Sequence, residues 1–272
     1  MCGIVGYAGN VETACGKPLE VCLQGLERLE YRGYDSAGVA LTASGMDKVT
    51  VRKKAGRLKN LVEDIECKPM PLATVGIGHT RWATNGEPSD VNAHPHTSMD
   101  GKVAIIHNGI IENASQLRLD LQAEGYRFAS ATDTEVAAKL LGKIVDKIIA
   151  EEGKPNLFKA VRRMARMLEG AFTILATDCR QPDIVVGARH DSPLVVGLGD
   201  GENFLGSDVA AFVAYTKRAM EVDQDQAVCV SADKVIVTDF DGNVIENPKT
   251  YTVDWDASAA EKGGWDSFMD KE

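Results

Sequence analysis

The second residue of the chain occupies a position with unusual chemical potential. Cys2 follows Met1 in the opening MCGIVGY, so removal of Met1 would place a thiol and a free α-amine on one amino acid. Cysteine is a strong nucleophile at neutral pH, and an α-amine, which titrates at about pH 8, can accept the thiol proton. This pairing predicts a nucleophile with its own base. The alternative is a small buried residue that starts a strand, since free cysteines are among the most buried residues.

Four histidines between residues 79 and 107 permit a different chemistry. With a cysteine, His79, His94, His96 and His107 could form a zinc site or a Cys-His hydrolase. The H-x-H spacing lacks a second paired ligand motif, which disfavours a closed zinc site. The segment GLGDGENFLG lacks the pattern of a phosphate-binding loop, and DFDGN indicates a hairpin turn rather than a calcium loop. We therefore expect no metal and no cofactor.

Charge and cysteine content restrict the partners and the compartment. The 272 residues include 30 basic and 40 acidic ones, and this formal net charge of −10 disfavours broad binding to nucleic acid or to an anionic membrane. The six cysteines show no C-x-x-C spacing, which fits a reducing, cytoplasmic setting. The sequence contains no signal-peptide pattern and no run of 18 apolar residues. Its length suits one large α/β or α+β domain.

The apolar pattern of the first half predicts the elements that must position these residues. The β-branched run CGIVGYA predicts a strand, and apolar residues at helical spacing after Pro18 predict a helix from about 17 to 30. GVALTA and KVTVRKK predict a hairpin, GRLKNLVEDIE a helix, and TVGIGHTR and KVAIIHNG two further strands. The stretch 82–101 is rich in Asn, Gly, Pro and Ser and predicts a long loop, which is usually functional or disordered.

Helices and then strands are predicted in the second half. Asn113 or Ser115 is expected to cap one helix, Thr132 or Asp133 the next, and Gly170 to end the helix NLFKAVRRMARMLEG. Six further strands are predicted beside a helix around residues 209–215: GAFTILATD, DIVVGAR, SPLVVGLGD, NFLGSD, AVCVSAD and KVIVTDF. Two sheets covered by helices are the natural packing of such elements.

Several short blocks carry a close resemblance to one family. MCGIVGY, LEYRGYDSAGVA, GHTRWATNGEP with NAHPH, HNGIIEN and TDTE resemble the N-terminal glutaminase domain of glucosamine-6-phosphate synthases in order and spacing. These enzymes are also called glutamine–fructose-6-phosphate transaminases, and the domain is a class II glutamine amidotransferase. The resemblance covers essentially the whole chain. It implies an α+β Ntn-hydrolase fold, a four-layer αββα sandwich with two antiparallel sheets, with which the predicted elements are compatible.

The resemblance implies the residues that would attack an amide. Cys2 would be the nucleophile after removal of Met1. The side chain of Asn108 and the backbone N–H of Gly109 would stabilise the oxyanion that forms when a thiolate attacks a glutamine side chain. The alternative for Asn-Gly is a turn at the end of a strand.

The resemblance also implies residues that would bind glutamine. Arg81 would bind the α-carboxylate and Asp133 the α-ammonium group, while Trp82, Thr84 and His94 would shape the pocket. Each has a simpler alternative. A lone arginine often forms a surface ion pair, Asp133 could cap a helix, and an indole or imidazole is often packed in a core.

One position departs from the family pattern. Many relatives have HTRWATHG where this chain has HTRWATNG, so Asn85 replaces a histidine beside the expected pocket. An asparagine keeps hydrogen-bonding capacity but cannot carry a charge.

The resemblance predicts hydrolysis of L-glutamine to L-glutamate and ammonia through a γ-glutamyl thioester on Cys2. Residues 2–250 would form the glutaminase domain, and 251–272 would begin the linker to a sugar isomerase domain that is absent from this chain. The chain would then be an excised domain, a truncated product or a split subunit, with glutaminase but not synthase activity, and the full-length enzyme would be a homo-oligomer. The alternatives are a non-catalytic glutamine-binding or regulatory subunit that keeps Met1 and another Cys-initiated Ntn amidohydrolase.

Overall fold

Fourteen strands and five α-helices occupy the described residues, 2–10, 16–84 and 86–254, of the computed structural model. The strands are β1 (Gly3–Gly9), β2 (Ser36–Thr42), β3 (Thr50–Ala55), β4 (Val75–Arg81), β5 (His96–Thr97), β6 (Val103–Gly109), β7 (Phe172–Asp178), β8 (Gln181–His190), β9 (Leu194–Leu198), β10 (Glu202–Gly206), β11 (Arg218–Val222), β12 (Gln226–Val230), β13 (Val235–Asp239) and β14 (Thr250–Thr252). The helices are α1 (Lys17–Arg28), α2 (Leu58–Cys67), α3 (Ala114–Ala123), α4 (Asp133–Glu152) and α5 (Leu157–Ala165). None of these helices combines the length and the apolar character that a membrane span needs.

The strands form two antiparallel sheets. Sheet A has the order β14-β11-β9-β10-β1-β4-β2-β3, and sheet B has the order β13-β12-β8-β7-β6-β5. Neighbouring strands run antiparallel in both sheets. The predicted α+β class with two antiparallel sheets is therefore confirmed.

Three apolar clusters show how the elements are layered. One lies between the inner faces of the two sheets, with Ile4, Ile77 and Leu175 among its members. A second packs α1 and α2 on the outer face of sheet A, and a third packs α3, α4 and α5 on the outer face of sheet B. The order of layers is helix, sheet, sheet, helix, which is the predicted αββα sandwich.

Strand β1 lies in the interior of sheet A and positions the residue that precedes it. All seven of its residues are buried, and it pairs with β10 on one side and β4 on the other. Gly3 pairs with Thr80, so Cys2 lies beside the end of β4, where Arg81 and Trp82 follow. An interior strand buried on both faces is a rigid support for a reactive residue.

The structure confirms the predicted cap of one helix and contradicts two other helix predictions. Thr132 is the cap of α4, because its side chain accepts a hydrogen bond from the Glu135 N–H, and Asp133 is the first helical residue. Asn113 precedes α3, but its amide donates to the Met167 carbonyl at 2.8 Å instead of capping. The predicted helix around 209–215 is wrong, since only a 3-10 turn at Val209–Ala211 forms there.

Gly170 does not end helix α5, which stops at Ala165. Its φ is +96°, and a Cβ at this position would lie 2.4 Å from the Ile110 carbonyl oxygen. The glycine therefore permits a close approach of two backbones next to the end of β6.

A hydrogen bond between two buried threonines is among those that join the two sheets through the interior. The hydroxyl oxygens of Thr42 in β2 and Thr177 in β7 lie 2.6 Å apart, and both side chains are fully buried. A buried hydroxyl without a partner costs more than the bond itself contributes. Each threonine therefore requires the other.

Replacing one of these threonines should destabilise the protein more than the small change in side-chain volume would predict. Thr42→Val leaves the Thr177 hydroxyl without its partner, and we expect the free energy of unfolding to fall by about 1–3 kcal/mol. In the Thr42→Val/Thr177→Val double variant both hydroxyls are gone, so the loss should be smaller than the sum of the two single losses. Urea unfolding measures the free energy of unfolding of the wild type, the two single variants and the double variant. Strictly additive losses would contradict the pairing of the two hydroxyls.

Candidate active site

A cavity of about 240 Å³ lies where the residue before β1 meets the last residues of β4 and β6. Its lining includes all eight residues for which the sequence predicted a role: Cys2, Arg81, Trp82, Thr84, His94, Asn108, Gly109 and Asp133. It also includes six that were not predicted: Arg32, His107, Ile110, Ser192, Pro193 and Ser207. Segments that are distant in sequence thus converge on one cavity, and the roles of the individual residues stay predictions.

The thiol of Cys2 is held at the wall of this cavity by the backbone of β4. Its Sγ accepts a hydrogen bond from the Trp82 N–H at 3.1 Å, and the Gly3 N–H donates to Thr80 Oγ1 at 3.2 Å. Burial raises the pKa of the thiol, and the hydrogen bond from Trp82 lowers it in part. Because burial is the larger effect, the thiol needs a base in order to react at neutral pH. Met1 lies outside the described residues, so its removal stays a prediction.

The side chain of Asn108 touches the backbone of Cys2. Its Nδ2 donates to the Cys2 carbonyl oxygen at 2.8 Å, and its Oδ1 lies 2.9 Å from Nε2 of His79. An amide nitrogen carries two hydrogens, so one N–H remains after the bond to Cys2. Because Asn108 and Cys2 both line the cavity, this N–H is a candidate oxyanion donor.

Gly109 has a backbone conformation that other residues rarely adopt. Its φ is +126°, and a Cβ would lie 2.0 Å from the Ala171 carbonyl oxygen. The next residue, Ile110, donates its N–H to Ala171 at 2.9 Å. Hydrogen-bonded pairs alternate in antiparallel strands, so the pairing of Gly109 with Phe172 is of the kind without hydrogen bonds. The Gly109 N–H therefore points away from β7.

Arg81 is the last residue of β4 and is 3% exposed. Its Nη2 donates to the Gly86 carbonyl oxygen at 3.1 Å, which ties the guanidinium to the loop that follows. Burial lowers its pKa, and the charges of Cys2, Asp133 and Asp35 act in the opposite direction. A guanidinium keeps its proton in proteins, so Arg81 is a fixed cation in the lining of the cavity.

Asp133 is the first residue of α4, and its carboxylate faces the cavity rather than capping the helix. One oxygen accepts from the Ile111 N–H at 2.9 Å, and the other from the Thr134 N–H at 2.9 Å. His107 lies 3.9 Å from the first of these oxygens. Two backbone N–H donors at the helix N-terminus thus hold the carboxylate in place.

Trp82, Thr84 and His94 lie on different sides of the cavity. Trp82 is 47% exposed and makes an edge contact with Tyr34 at a ring distance of 5.6 Å. Thr84 is exposed, whereas His94 is buried. Asn85, the position that departs from the family pattern, lies outside the described residues.

The loop that carries His94 is held by a lysine that the sequence did not single out. Nζ of Lys53 donates to the carbonyl oxygens of Val91 at 3.2 Å, Ala93 at 2.7 Å and Pro95 at 3.2 Å. These three acceptors use all the hydrogens of an ammonium group. Burial lowers the pKa of Lys53 to about 8, so it remains largely protonated at neutral pH.

Three of the four histidines considered as metal ligands, His79, His94 and His96, form a buried row of rings, and His107 is buried as well. The rings of His79 and His94 lie 4.3 Å apart, and those of His94 and His96 lie 5.2 Å apart. Burial lowers the pKa of all four, including His107, so they are neutral. Within the described ranges, no three His, Cys, Asp or Glu residues are grouped so that they could hold a metal ion.

Some lining residues had weak sequence signals. Arg32 lies within the LEYRGYDSAG block and pairs with Asp208 at 2.7 Å, but a lone arginine gave no reason to select it. Asp35 of the same block accepts the Ala83 N–H at 2.9 Å and so holds the chain beyond Trp82. Ser192 follows β8 in a turn with no recognisable motif, and only the tertiary structure brings it to the cavity.

The sequence of the chain matches the model of one protein family. The model of the family described as glutamine amidotransferase domain matches residues 79–214, which is half of the chain. The chain belongs to this family, and the predicted resemblance is confirmed. The match includes Arg81, Asn108, Gly109 and Asp133.

Two curated relatives that match over the whole chain carry the same enzyme name. The glutamine–fructose-6-phosphate aminotransferase (isomerizing) of Corynebacterium efficiens is 54% identical over 273 residues, and that of Leifsonia xyli is 55% identical over 272. Both alignments include 100% of this chain. The chain spans only 43% and 42% of these relatives.

Solved structures show the same fold. Glutamine phosphoribosylpyrophosphate amidotransferase from B. subtilis, complexed with ADP and GMP, has a TM-score of 0.71 and 25% identity, and the alignment covers 89% of this chain and 50% of that one. A glutamine aminotransferase class-II domain protein from Silicibacter pomeroyi has a TM-score of 0.54 at 15% identity, over 88% and 99% of the two chains. The second likeness concerns the fold alone.

The neutral histidine row predicts a loss of stability in mild acid. Burial lowers the pKa of His79 to about 3, whereas an unfolded histidine titrates at about 6.5. The unfolded chain binds the extra proton as the pH falls below about 6.5, so stability is complete above this pH and is lost towards pH 3. Between pH 7.5 and pH 5 the loss from this one residue should be about 2 kcal/mol.

Urea unfolding at the two pH values measures this loss. His94, His96 and His107 should add to it, because burial lowers their pKa values too. The His79→Gln variant should show a smaller loss than the wild type. Equal stability of the wild type at pH 7.5 and pH 5 would show that the row is not held neutral.

Proposed function

We propose that the chain hydrolyses L-glutamine to L-glutamate and ammonia through a γ-glutamyl thioester on Cys2. The observation that supports this most directly is the convergence of Cys2, Asn108, Arg81 and Asp133 on one cavity. A nucleophile and an N–H donor suit the side-chain amide of glutamine, and a cation and an anion suit its α-carboxylate and α-ammonium groups. The membership of the glutamine amidotransferase domain family supports the same substrate.

The reaction begins with the thiol of Cys2. Removal of Met1 gives this residue a free α-amine, which accepts the thiol proton while Sγ attacks the side-chain amide carbon of glutamine. The amine passes the proton to the leaving nitrogen, the C–N bond breaks, and ammonia departs. Water then attacks the thioester, glutamate leaves, and the thiol is restored. The scheme uses no metal and no cofactor.

The negative charge that forms on the amide oxygen needs donors that are already in place. The second N–H of Asn108 and the backbone N–H of Gly109, which points away from β7, are proposed as these donors. Each such donor contributes about 10²- to 10³-fold in rate in enzymes where it has been removed. The closeness of Asn108 Nδ2 to the Cys2 carbonyl, 2.8 Å, supports this assignment.

The other end of glutamine is charged, and the proposed partners are charged in the opposite sense. Arg81 binds the α-carboxylate and Asp133 the α-ammonium group through charge-assisted hydrogen bonds. Both residues are buried, so their electrostatic interactions with the substrate are stronger than they would be in water. Trp82, Thr84 and His94 are proposed to shape the pocket around the carbon chain of the substrate.

The relatives suggest where the ammonia goes. Because they are named glutamine–fructose-6-phosphate aminotransferases, we propose that a sugar isomerase domain outside this chain uses the ammonia to make glucosamine 6-phosphate from fructose 6-phosphate. Residues 2–250 then form the glutaminase domain, and 251–272 lead towards the acceptor domain. Residues 255–272 lie outside the described part of the chain.

Two further proposals concern the setting of the enzyme. A cytoplasmic location is supported by Cys2, Cys22, Cys67, Cys179 and Cys229, which are free thiols. A homo-oligomeric full-length enzyme, without nucleic acid or membrane partners, is proposed from the resemblance and from the net charge of −10.

A combined mass and activity measurement tests the proposed function. The intact mass of the purified chain should be lower than that of the full sequence by one methionine, and the same preparation should convert glutamine to glutamate. Cys2→Ala should lower this activity by at least about 10³-fold, because no other group in the scheme can form the thioester. Cys67→Ala, which changes an exposed thiol on α2, should leave it unchanged.

The possible outcomes separate the proposal from its alternatives. Retained Met1 with glutamine binding but no turnover would indicate a regulatory subunit. Turnover of other amides in preference to glutamine would indicate a different Cys-initiated amidohydrolase. Undiminished glutaminase activity in Cys2→Ala would refute the thioester.

A further inference from the structure

His79 lies behind the cavity wall and touches the residue proposed to stabilise the oxyanion. It is a residue of β4, completely buried, and it is two positions before Arg81, so both side chains project from the same face of the strand. Its Nε2 lies 2.9 Å from Oδ1 of Asn108. His79 does not line the cavity itself. Any effect on the reaction must therefore pass through a neighbour that lines the cavity, and Asn108 is the one to which His79 is hydrogen-bonded.

The position of the proton on His79 follows from the hydrogen bonds around Asn108. The Cys2 carbonyl oxygen can only accept, so the Asn108 atom 2.8 Å from it must be the amide nitrogen. The amide oxygen of Asn108 then faces His79, and an oxygen can only accept from Nε2. The hydrogen of the neutral imidazole is therefore on Nε2, and Nδ1 has none.

The surroundings of His79 keep the ring neutral and immobile. Its backbone pairs with Ile4 on one side and Gly38 on the other, in the interior of sheet A. The ring of His94 lies against it at 4.3 Å. Burial lowers the pKa of His79 to about 3, so the ring carries one hydrogen at neutral pH.

Through His94 and His96, the row of rings that contains His79 also reaches the start of α4. The ring of His96 contacts that of His94, and its Nε2 lies 2.9 Å from the hydroxyl oxygen of Thr132. Thr132 caps α4, whose first residue is Asp133. The imidazoles thus connect the amide at the reacting centre to the helix that presents the carboxylate.

We propose that His79 is a positioning residue, whose Nε2–H holds the Asn108 amide so that its second N–H faces the oxyanion. This inference rests on the proposed function, because it assigns a task to Asn108 in glutamine hydrolysis. Without the bond to His79, only the bond to the Cys2 carbonyl oxygen holds the amide, which can then tilt and move its second N–H away from the oxyanion. A misplaced donor stabilises the developing negative charge less.

The kinetic consequence is specific. The oxyanion exists in the transition state and not in bound glutamine, so loss of its donor lowers kcat and leaves KM nearly unchanged. A residue that only supported the fold or the pocket would change KM or the amount of active protein. The two roles therefore predict different kinetic constants.

Three variants test the proposal. His79→Met preserves the approximate volume of the side chain but removes the hydrogen-bond donor. It should lower kcat about 10- to 100-fold, with KM within about threefold of the wild type. His79→Gln places an amide N–H close to the position of Nε2, so kcat should stay within about fivefold of the wild type. In an Asn108→Ala background, His79→Met should lower kcat by less than about threefold, because its partner is already missing.

Two controls exclude a collapse of the site. The rate at which iodoacetamide alkylates Cys2 should be the same in wild type and His79→Met, since alkylation needs no oxyanion donor. His190→Met, the same change at a partly exposed histidine outside the cavity, should leave kcat unaltered. Equal losses of kcat in His79→Met and His79→Gln, additive losses with Asn108→Ala, or a rise in KM that matches the fall in kcat would each overturn the proposal.

A spectroscopic test does not depend on turnover. In ¹⁵N-labelled protein the resonances of His79, assigned by their absence in His79→Gln, should show a directly bonded hydrogen on Nε2 and a bare Nδ1. A hydrogen on Nδ1 would overturn the inference. If the wild-type chain hydrolyses no glutamine, the proposed function fails, and the proposed role of His79 fails with it. The nitrogen spectrum then still decides the orientation of Asn108.

Discussion

The antiparallel pairing of β1 with β4 is the constraint on which the site depends. It places Cys2 beside the end of β4, where the Trp82 N–H donates to the thiol at 3.1 Å and Arg81 enters the same cavity. Both strands are completely buried, so the pairing cannot shift by one residue without turning apolar side chains out of the core. The geometry of the nucleophile is thus maintained by the core that stabilises the whole domain.

Burial has opposite consequences for the groups around this pairing. It raises the pKa of Cys2 and keeps His79 neutral, which disfavours charge on the groups beside the proposed oxyanion. Arg81 and Asp133 are buried too, and in a region of low dielectric constant their electrostatic interactions with a substrate are stronger than those of exposed residues. The cavity thus combines neutral N–H donors near Cys2 with charged side chains. This combination suits a substrate that carries both an amide and a charged amino acid group.

Much of this arrangement is predictable from sequence, and the remainder has identifiable causes. Apolar runs predict the long interior strands, and short motifs around Cys2 and Asn108 lead to the family and to residues that meet in one cavity. The strands β5, β11 and β14 escape prediction because their pairing depends on neighbours distant in sequence, and β5 and β14 have only two and three residues. The positioning roles of His79 and Lys53 cannot be predicted from the sequence either, because a histidine or lysine acquires its partners only through the tertiary fold.

The covalent intermediate offers the most direct test of the account. The chain is mixed with glutamine, quenched in acid within the first turnovers, digested, and analysed by mass spectrometry. The account predicts that the peptide beginning at Cys2 is transiently heavier by one γ-glutamyl group and that hydroxylamine removes this group. Production of glutamate with no such adduct, or with the adduct on another residue, would contradict the assignment of Cys2 as the nucleophile.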